Sequence, residues 1–309
     1  MTARIVTLTL NPAVDIACTA AAVRPTHKIR TTDERYDPGG GGINVARVVH
    51  ALGGRTCALI MTGDFSGGLI EEMLAAAGVP WQRLPITGRT RISLNVHDRE
   101  TGLEYRFVPE GPVVSEVEWR AALAVLGAIE ADWVIASGSL PPGVPEDFYA
   151  QAAGIAASRG QKFALDTSGA SLRHGVGAGV ALLKLSESEF GSLVGHQPGD
   201  PLAQEQAIAT LIRGGAAEMI TVSLGAGGAV LATADSVWRR RALPVQVRSS
   251  VGAGDSFLAG LVFGLAGGMG HGDALDLAMA TGAAAVAAYG TALVRREDVE
   301  AFRALSPGV

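Results

Sequence analysis

Cysteine is almost absent: Cys18 and Cys57 are the only two in 309 residues, with neither metal-site nor redox spacing. That excludes a disulfide-stapled secreted scaffold and makes a reducing cytoplasm the expected compartment. Aromatic residues are equally scarce at 5%, and charged residues reach only 18%. The 25 basic and 30 acidic residues leave a net charge of −5, and the longest basic run, at 239–241, is three residues. Neither a nucleic-acid nor an anionic-membrane partner is expected from so little clustered positive charge. No window reaches the ~20 uninterrupted apolar residues of a membrane helix. The first residues, with a lone Arg4 before strand-like and polar positions, do not read as a signal peptide. What is abundant is apolar and small: 48% hydrophobic residues and 41 glycines. A chain of that kind is neither disordered nor fibrous and is long enough to bury a large core.

The hydrophobic pattern then sets the order of elements. Residues 4–10 form a β-branched strand that stops at Asn11-Pro12. Residues 28–36 alternate as a polar strand, and four glycines at 39–42 lead into a helix over 43–52, closed by Gly53-Gly54. A strand over 56–61 and a helix over 69–77 follow. Residues 91–96 and 104–108 read as a hairpin turning at 98–102. Ser115-x-x-Glu118 is a capping box opening a helix to about Ile129. Beyond it, strands over 133–136, 163–166, 181–184 and 219–223 alternate with helices over 146–159, 189–194 and 204–213. Such alternation predicts right-handed crossovers and a mostly parallel sheet. Residues 228–233 and 237–241 read as an antiparallel edge pair, and the C-terminal part is helical. With no tandem repeat or linker, one α/β domain over 1–309 is expected, its polar strands forming a small accessory sheet.

In open α/β sheets ligands gather at the carboxyl ends of strands. Neither G-x-x-x-x-G-K-[ST] nor G-x-G-x-x-G occurs, nor a protein-kinase catalytic loop. The sharpest candidate is Ser250-Val251-Gly252-Ala253-Gly254-Asp255, which opens an apolar helix. Small residues there leave backbone N–H groups and the helix dipole open to an anion, with Asp255 placed to take a proton. The plain alternative is an ordinary N-terminal cap. The glycine run with Asn44 suits close approach to a polyhydroxylated ligand, or else is a flexible turn. Asp15 reads as a sugar contact or an exposed loop acid. Arg91 and Arg106 on the hairpin, and Lys28, suit a phosphate dianion or are solvated strand residues. Ser139 lies in the turn Ser137-Gly138-Ser139, directly after a buried strand. Lys184 and Ser186-x-x-Glu189 follow another strand, where the capping-box reading is strong. Ser223, Gly225 and Gly228 sit after a third, cradling a nucleotide or turning the chain. The six histidines are scattered, so no zinc site is expected.

Taken in order, the loop Pro38–Arg47 (PGGGGINVAR) and the late Gly-Ala-Gly-Asp resemble the ribokinase-like carbohydrate kinases, the PfkB family. Residues 7–12 with Asp15, Gly53-Gly54, 137–143 and 223–228 extend the resemblance over essentially the whole chain. The glycine loop is similar to that of the ATP-dependent 6-phosphofructokinase branch. The resemblance implies a three-layer sandwich with a mostly parallel central sheet and a small β lid, drawn from about 12–37 and 88–109. It implies Asp255 as the base, with Gly252, Ala253 and Gly254 as the anion hole. Asp15, Gly40, Gly41, Asn44 and Ser139 become sugar contacts, and Arg91, Arg106 and Lys28 phosphate contacts. Lys184, Ser186, Ser223, Gly225 and Gly228 fall on the nucleotide side, and Glu189 on Mg²⁺ through water. A K⁺ site is implied from the backbone of Ser249, Val251, Ala285, Ala288 and Gly290, as is a homodimer through the lid.

The expected activity is therefore ATP-dependent phosphorylation of fructose 6-phosphate at its C1 hydroxyl. 1-Phosphofructokinase or tagatose-6-phosphate kinase activity is the alternative, and a sugar-phosphate sensor a third reading. One departure stands out. The family's usual K-P-N-x-x-E is here Lys184-Leu185-Ser186-Glu187-Ser188-Glu189, without the preset turn and the amide.

Overall fold

Buried β-branched and aliphatic residues make β1 (Arg4–Thr9) a strand covered on both faces, and the rest of the fold is arranged around it. The computed structural model describes residues 3–288 and 294–305. After β1 come β2 (Ala13–Ala20), β3 (Thr31–Gly39), α1 (Gly41–Ala51), β4 (Arg55–Thr62) and α2 (Asp64–Ala76). Next are β5 (Trp81–Pro85), β6 (Arg91–Asp98), β7 (Glu104–Phe107) and α3 (Glu116–Ala128). The middle of the chain carries β8 (Trp133–Ser137), α4 (Phe148–Ser158), β9 (Lys162–Asp166), α5 (Gly169–Gly175) and β10 (Leu182–Ser186). Then follow α6 (Glu187–Val194), α7 (Pro201–Arg213), β11 (Met219–Ser223), β12 (Ala229–Ala232) and β13 (Val237–Arg240). The chain closes with α8 (Ala253–Ala266), α9 (His271–Ala287) and α10 (Arg296–Arg303).

Two sheets form among the described residues. The larger has nine strands in the order β13-β12-β11-β10-β9-β8-β1-β4-β5, parallel except where β12 and β13 close one edge. Strand order reverses between β1, which leads to β4 and β5, and β8, which leads to β9 and β10. That reversal leaves a crevice beyond the carboxyl ends of β1 and β8, the natural place for a ligand. The smaller sheet, β3-β2-β6-β7, is the expected lid; β2 pairs parallel with β6, and the other two pairs are antiparallel.

Alternate residues of the main strands feed two cores. Val6, Leu8, Val134, Phe163 and Leu183 pack on one face with α3, α4 and α7. Ile5, Ile135, Ala164 and Leu182 pack on the other with α1, α8 and α9. Truncating a core leucine such as Leu8 costs roughly 2–5 kcal/mol. The few aromatics are offset by close helix contact: a side chain on Gly260 of α8 would overlap Thr281 of α9. No helix of the described residues is long and apolar enough to cross a membrane.

Three elements are absent from the pattern read in sequence: β2, β5 and α5. β2 escapes because Pro12 and Asp15 interrupt a run of small residues. Asp15 accordingly lies on a lid strand, not in a loop. The expected strand over 28–36 begins only at Thr31, so Lys28 stands in the preceding loop, exposed. β3 tolerates Pro38 because it is the lid's edge strand.

Candidate active site

Gly252, in the left-handed region at φ 74°, starts α8 and puts Asp255 in its first turn. Asn44 on α1 donates from Nδ2 to Asp255 Oδ2 at 2.9 Å. Ser137, the last residue of β8, places its Oγ 3.4 Å from Asp255 Oδ1 and 3.4 Å from Asp166 Oδ2. Asp166 ends β9 and forms a buried ion pair with Lys184 Nζ at 3.0 Å. Burial, then the nearby Asp166, pushes the Asp255 carboxyl above the ordinary aspartate value; Asn44, Lys184 and Ser137 oppose this. A poised base needs that direction of shift. Burial works against the Lys184 ammonium, yet Asp166, with Asp255 and Glu189 near it, holds its pKa above the usual lysine value.

The glycine loop is glycine for steric reasons. A side chain on Gly41 would overlap Ser137 Oγ and lie 3.1 Å from Asp255 Oδ1, and one on Gly39 would overlap the Asp15 carboxylate. A side chain on Gly254 would meet Lys184 Nζ at 3.1 Å, so the start of α8 stays open beside an ammonium.

The lid closes the other wall. A cleft of about 280 Å³ is lined by Asp15, Gly40, Gly41, Asn44, Arg91 and Arg106, and by Val251, Gly252 and Asp255. Burial lifts Asp15 to about 6, against the pull of Arg91 and Arg106 and with a push from Asp37. The two arginines are not equivalent. Arg91 Nη1 and Nη2 already donate to the carbonyls of Pro109 and Asn11, at 2.8 and 2.7 Å. The Arg106 side chain lines the cleft without a hydrogen bond among the described residues.

Other expected positions separate. Ser139 is exposed, accepts from Asn11 Nδ2 at 3.3 Å, and lines a neighbouring hollow of about 470 Å³ rather than the cleft. Lys28 is not among the residues lining the cleft. Glu189 and Ser186 form the capping box: Ser186 N donates to Glu189 Oε2 at 2.7 Å, and Ser186 Oγ accepts from Glu189 N at 3.3 Å. Ser223 Oγ donates to the carbonyl of Leu185 at 3.4 Å, beside the turn Gly225–Gly227. Gly228 is glycine because a side chain would overlap the carbonyl of Arg240 on β13, while Gly225 faces open space. Ser249 N donates to the carbonyl of Val286, which ties Ser249 to the last turn of α9, near Ala285 and Ala288, and Val251 N donates to Ser249 Oγ at 3.2 Å. Gly290 lies outside the described residues. No group of three or more His, Cys, Asp or Glu that suits a metal occurs among the described residues.

Residues 8–297 match the pfkB family carbohydrate kinase pattern. The chain belongs to the pfkB family of carbohydrate kinases. The ATP-dependent 6-phosphofructokinase isozyme 2 of Mycobacterium tuberculosis is 44% identical over 97% of this chain and 88% of its own length. Isozyme 2 of Escherichia coli K12 is 33% identical over 96% of this chain and 97% of its own. The crystal structure of the Escherichia coli phosphofructokinase-2 with substrates and products superposes with a TM-score of 0.93, at 33% identity, covering 97% and 98% of the two chains. That enzyme has also been solved in complex with potassium and in a tetrameric inhibited form.

Reading the sequence for this site missed Asp166 and Ser137 as participants, and the lid residues Ser93 and Asn95, which also line the cleft. Asp166 carried a usable signal, since it is the polar residue ending a buried parallel strand. Ser93 and Asn95 carried none beyond alternation with Ile92 and Leu94.

Proposed function

We propose that the protein transfers the γ-phosphoryl group of ATP to the C1 hydroxyl of fructose 6-phosphate, giving fructose 1,6-bisphosphate and ADP. The observation that carries this reading is one cleft with Asp255 at the start of α8 on one wall and Arg106 on the lid opposite. The sugar hydroxyl gives its proton to Asp255 as its oxygen bonds to phosphorus. The bond from the γ-phosphorus to the bridging oxygen breaks, and its electron pair leaves with ADP. Backbone N–H groups of Gly252 and Gly254 at the start of α8 face the phosphoryl charge as it moves, while the Ala253 N–H already donates to the carbonyl of Ser250 at 3.4 Å. Arg106 holds the 6-phosphate away from Asp255, and Asp15 accepts from the sugar hydroxyls.

Fructose 6-phosphate is favoured over fructose 1-phosphate or tagatose 6-phosphate by Gly41. Kinases of those sugars commonly carry Lys at that place in the loop, and Ser137 with Asp255 leaves no room for a side chain here. The nucleotide lies toward Lys184, Ser186, Ser223, Gly225 and Gly228. A Mg²⁺ would be held by the nucleotide phosphates and water, with Glu189, at the start of α6 near Lys184, as the outer acid. Bound there, Mg²⁺ would neutralise phosphate charge. The contact of Ser249 with Val286, at the end of α9, suits a K⁺ held by backbone carbonyls of Ser249, Val251, Ala285 and Ala288, in line with the potassium complex of the Escherichia coli enzyme.

Exposed Tyr36, Ile92 and Phe107 on the lid, with its open edge strands, support a dimer through this sheet. Light scattering that finds a monomer would count against that assembly. A reducing, ATP-supplied cytoplasm is the compartment the reaction needs. The direct test of the reaction is phosphorus NMR of the product from fructose 6-phosphate and ATP: phosphates on both C1 and C6 are expected. No turnover, or transfer to another carbon, overturns it.

A further inference from the structure

Asp255 has two different oxygens. Oδ2 accepts from the Asn44 amide nitrogen, a group that only donates. Oδ1 faces Ser137 Oγ and the place where a Gly41 side chain would be. Ser137 is buried, at 2% exposure, and its hydroxyl also faces Asp166 Oδ2, with Lys184 Nζ on the far Asp166 oxygen. One hydroxyl hydrogen thus stands between two carboxylates, and it serves one of them at a time.

We propose that Ser137 is a positioning residue for Asp255, a hydroxyl rotor that matches both protonation states of the base. Before transfer, with Asp255 ionised, the hydroxyl donates to Oδ1 and holds it in the cleft. As the sugar oxygen bonds to phosphorus, its proton passes to Oδ1. The hydroxyl then turns its hydrogen to Asp166 Oδ2 and accepts from the newly protonated Oδ1. No proton changes owner at Ser137, and the one on Asp255 leaves to water once product departs. Around Asp255, the Asn44 amide nitrogen and the Lys184 ammonium only donate, while the serine hydroxyl both donates and accepts. The same geometry explains Gly41, whose lack of a side chain leaves the rotor room beside the base.

The inference rests on the proposed kinase reaction, and the two fail differently: an inactive wild-type protein sinks the reaction, an active one indifferent to Ser137 sinks the rotor. The groups facing Asp255 are Asn44 on α1, Asp166 on β9 and Lys184 on β10, with Glu189 beyond the lysine and Asp15, Arg91 and Arg106 across the cleft. Removing the shared hydroxyl sets two carboxylates face to face, so the acid limb of kcat should move to higher pH. Ser137→Ala should lower kcat roughly tenfold, the scale of modest misplacement of a reacting group, with KM for the hexose phosphate nearly unchanged. Ser137→Thr, which keeps the hydroxyl, should restore most of the rate. In an Asp255→Asn background, Ser137→Ala should leave the residual single-turnover rate unchanged. Three results each overturn the proposal: a normal rate with an unmoved acid limb in Ser137→Ala, equal loss in Ala and Thr, or the same loss with and without Asp255.

Discussion

The two walls of the cleft are built on different physics. On the main-sheet side, Asp255, Ser137, Asp166 and Lys184 sit at strand or helix ends above two large cores, each fixed by neighbours within hydrogen-bond reach. On the lid side, the apolar support at the far end of the sheet is a cluster of Cys18, Ala20 and Val96. Most of β3 is exposed, and the Arg106 guanidinium projects into the cleft toward Asp15 without a side-chain hydrogen bond among the described residues. Chemistry that needs positions held to a fraction of an ångström belongs on the first wall, and recognition that tolerates movement belongs on the second. Substitutions on the main-sheet wall should therefore act on kcat, and those on the lid on KM.

The largest effect tests the rigid wall. Asp255→Asn should keep the fold and substrate binding yet lower kcat by ~10²–10⁴-fold, the usual worth of a general base. A drop under about tenfold would remove Asp255 from that role. On the lid, Arg106→Ala should raise KM for fructose 6-phosphate by ~10–100-fold with little change in kcat, since a charge-assisted hydrogen bond contributes roughly 1.5–3 kcal/mol. Arg91→Ala should move KM and kcat together, because its guanidinium ties β6 to the carbonyls of Asn11 and Pro109 where the chain passes between sheet and lid. Steady-state kinetics on both variants would blur the comparison if Arg91 proved the pure KM residue.

Asp15 gives a smaller, opposite-signed effect. Folding raises its pKa to about 6, so the unfavourable burial of its charge is full above that value and is relieved as pH falls through it. Asp15→Asn should weaken sugar binding, yet raise the Tm of the ligand-free protein at neutral pH by roughly 2–4 °C, about 1 kcal/mol of stability. A Tm unchanged or lowered, with the gain absent above pH 6, would show that its charge is well accommodated. Smallest is the cation effect. K⁺ should raise activity above Na⁺ and above a bulky organic cation by ordering residues 249–252, and equal rates in all three would remove that site.

The same contrast explains what was legible in the sequence. Main-sheet strands announce themselves as continuous apolar runs, so β8 to β11 and the helix after Gly252 were read within a few residues of their bounds. Asp255 and the glycine loop stood out as candidates because few other arrangements need those residue types together. The lid was legible only in part: β3, β6 and β7 read as strands, but β2 mixes small and polar residues, and Asp15 is brought against Gly39 by a strand pairing that spans the lid. Asp166 and Ser137 were passed over for another reason. Each is an ordinary polar residue at a strand end, and only the order of strands in the sheet brings β8, β9 and α8 together.

One comparison reaches the centre of the account: kcat/KM for fructose 6-phosphate, fructose 1-phosphate and tagatose 6-phosphate, side by side with ATP. Arg106 on the lid, Asp255 on the main wall and a glycine at position 41 predict that fructose 6-phosphate is preferred. If fructose 1-phosphate or tagatose 6-phosphate is the better substrate, the assignment of the two walls to these two ends of the sugar is wrong.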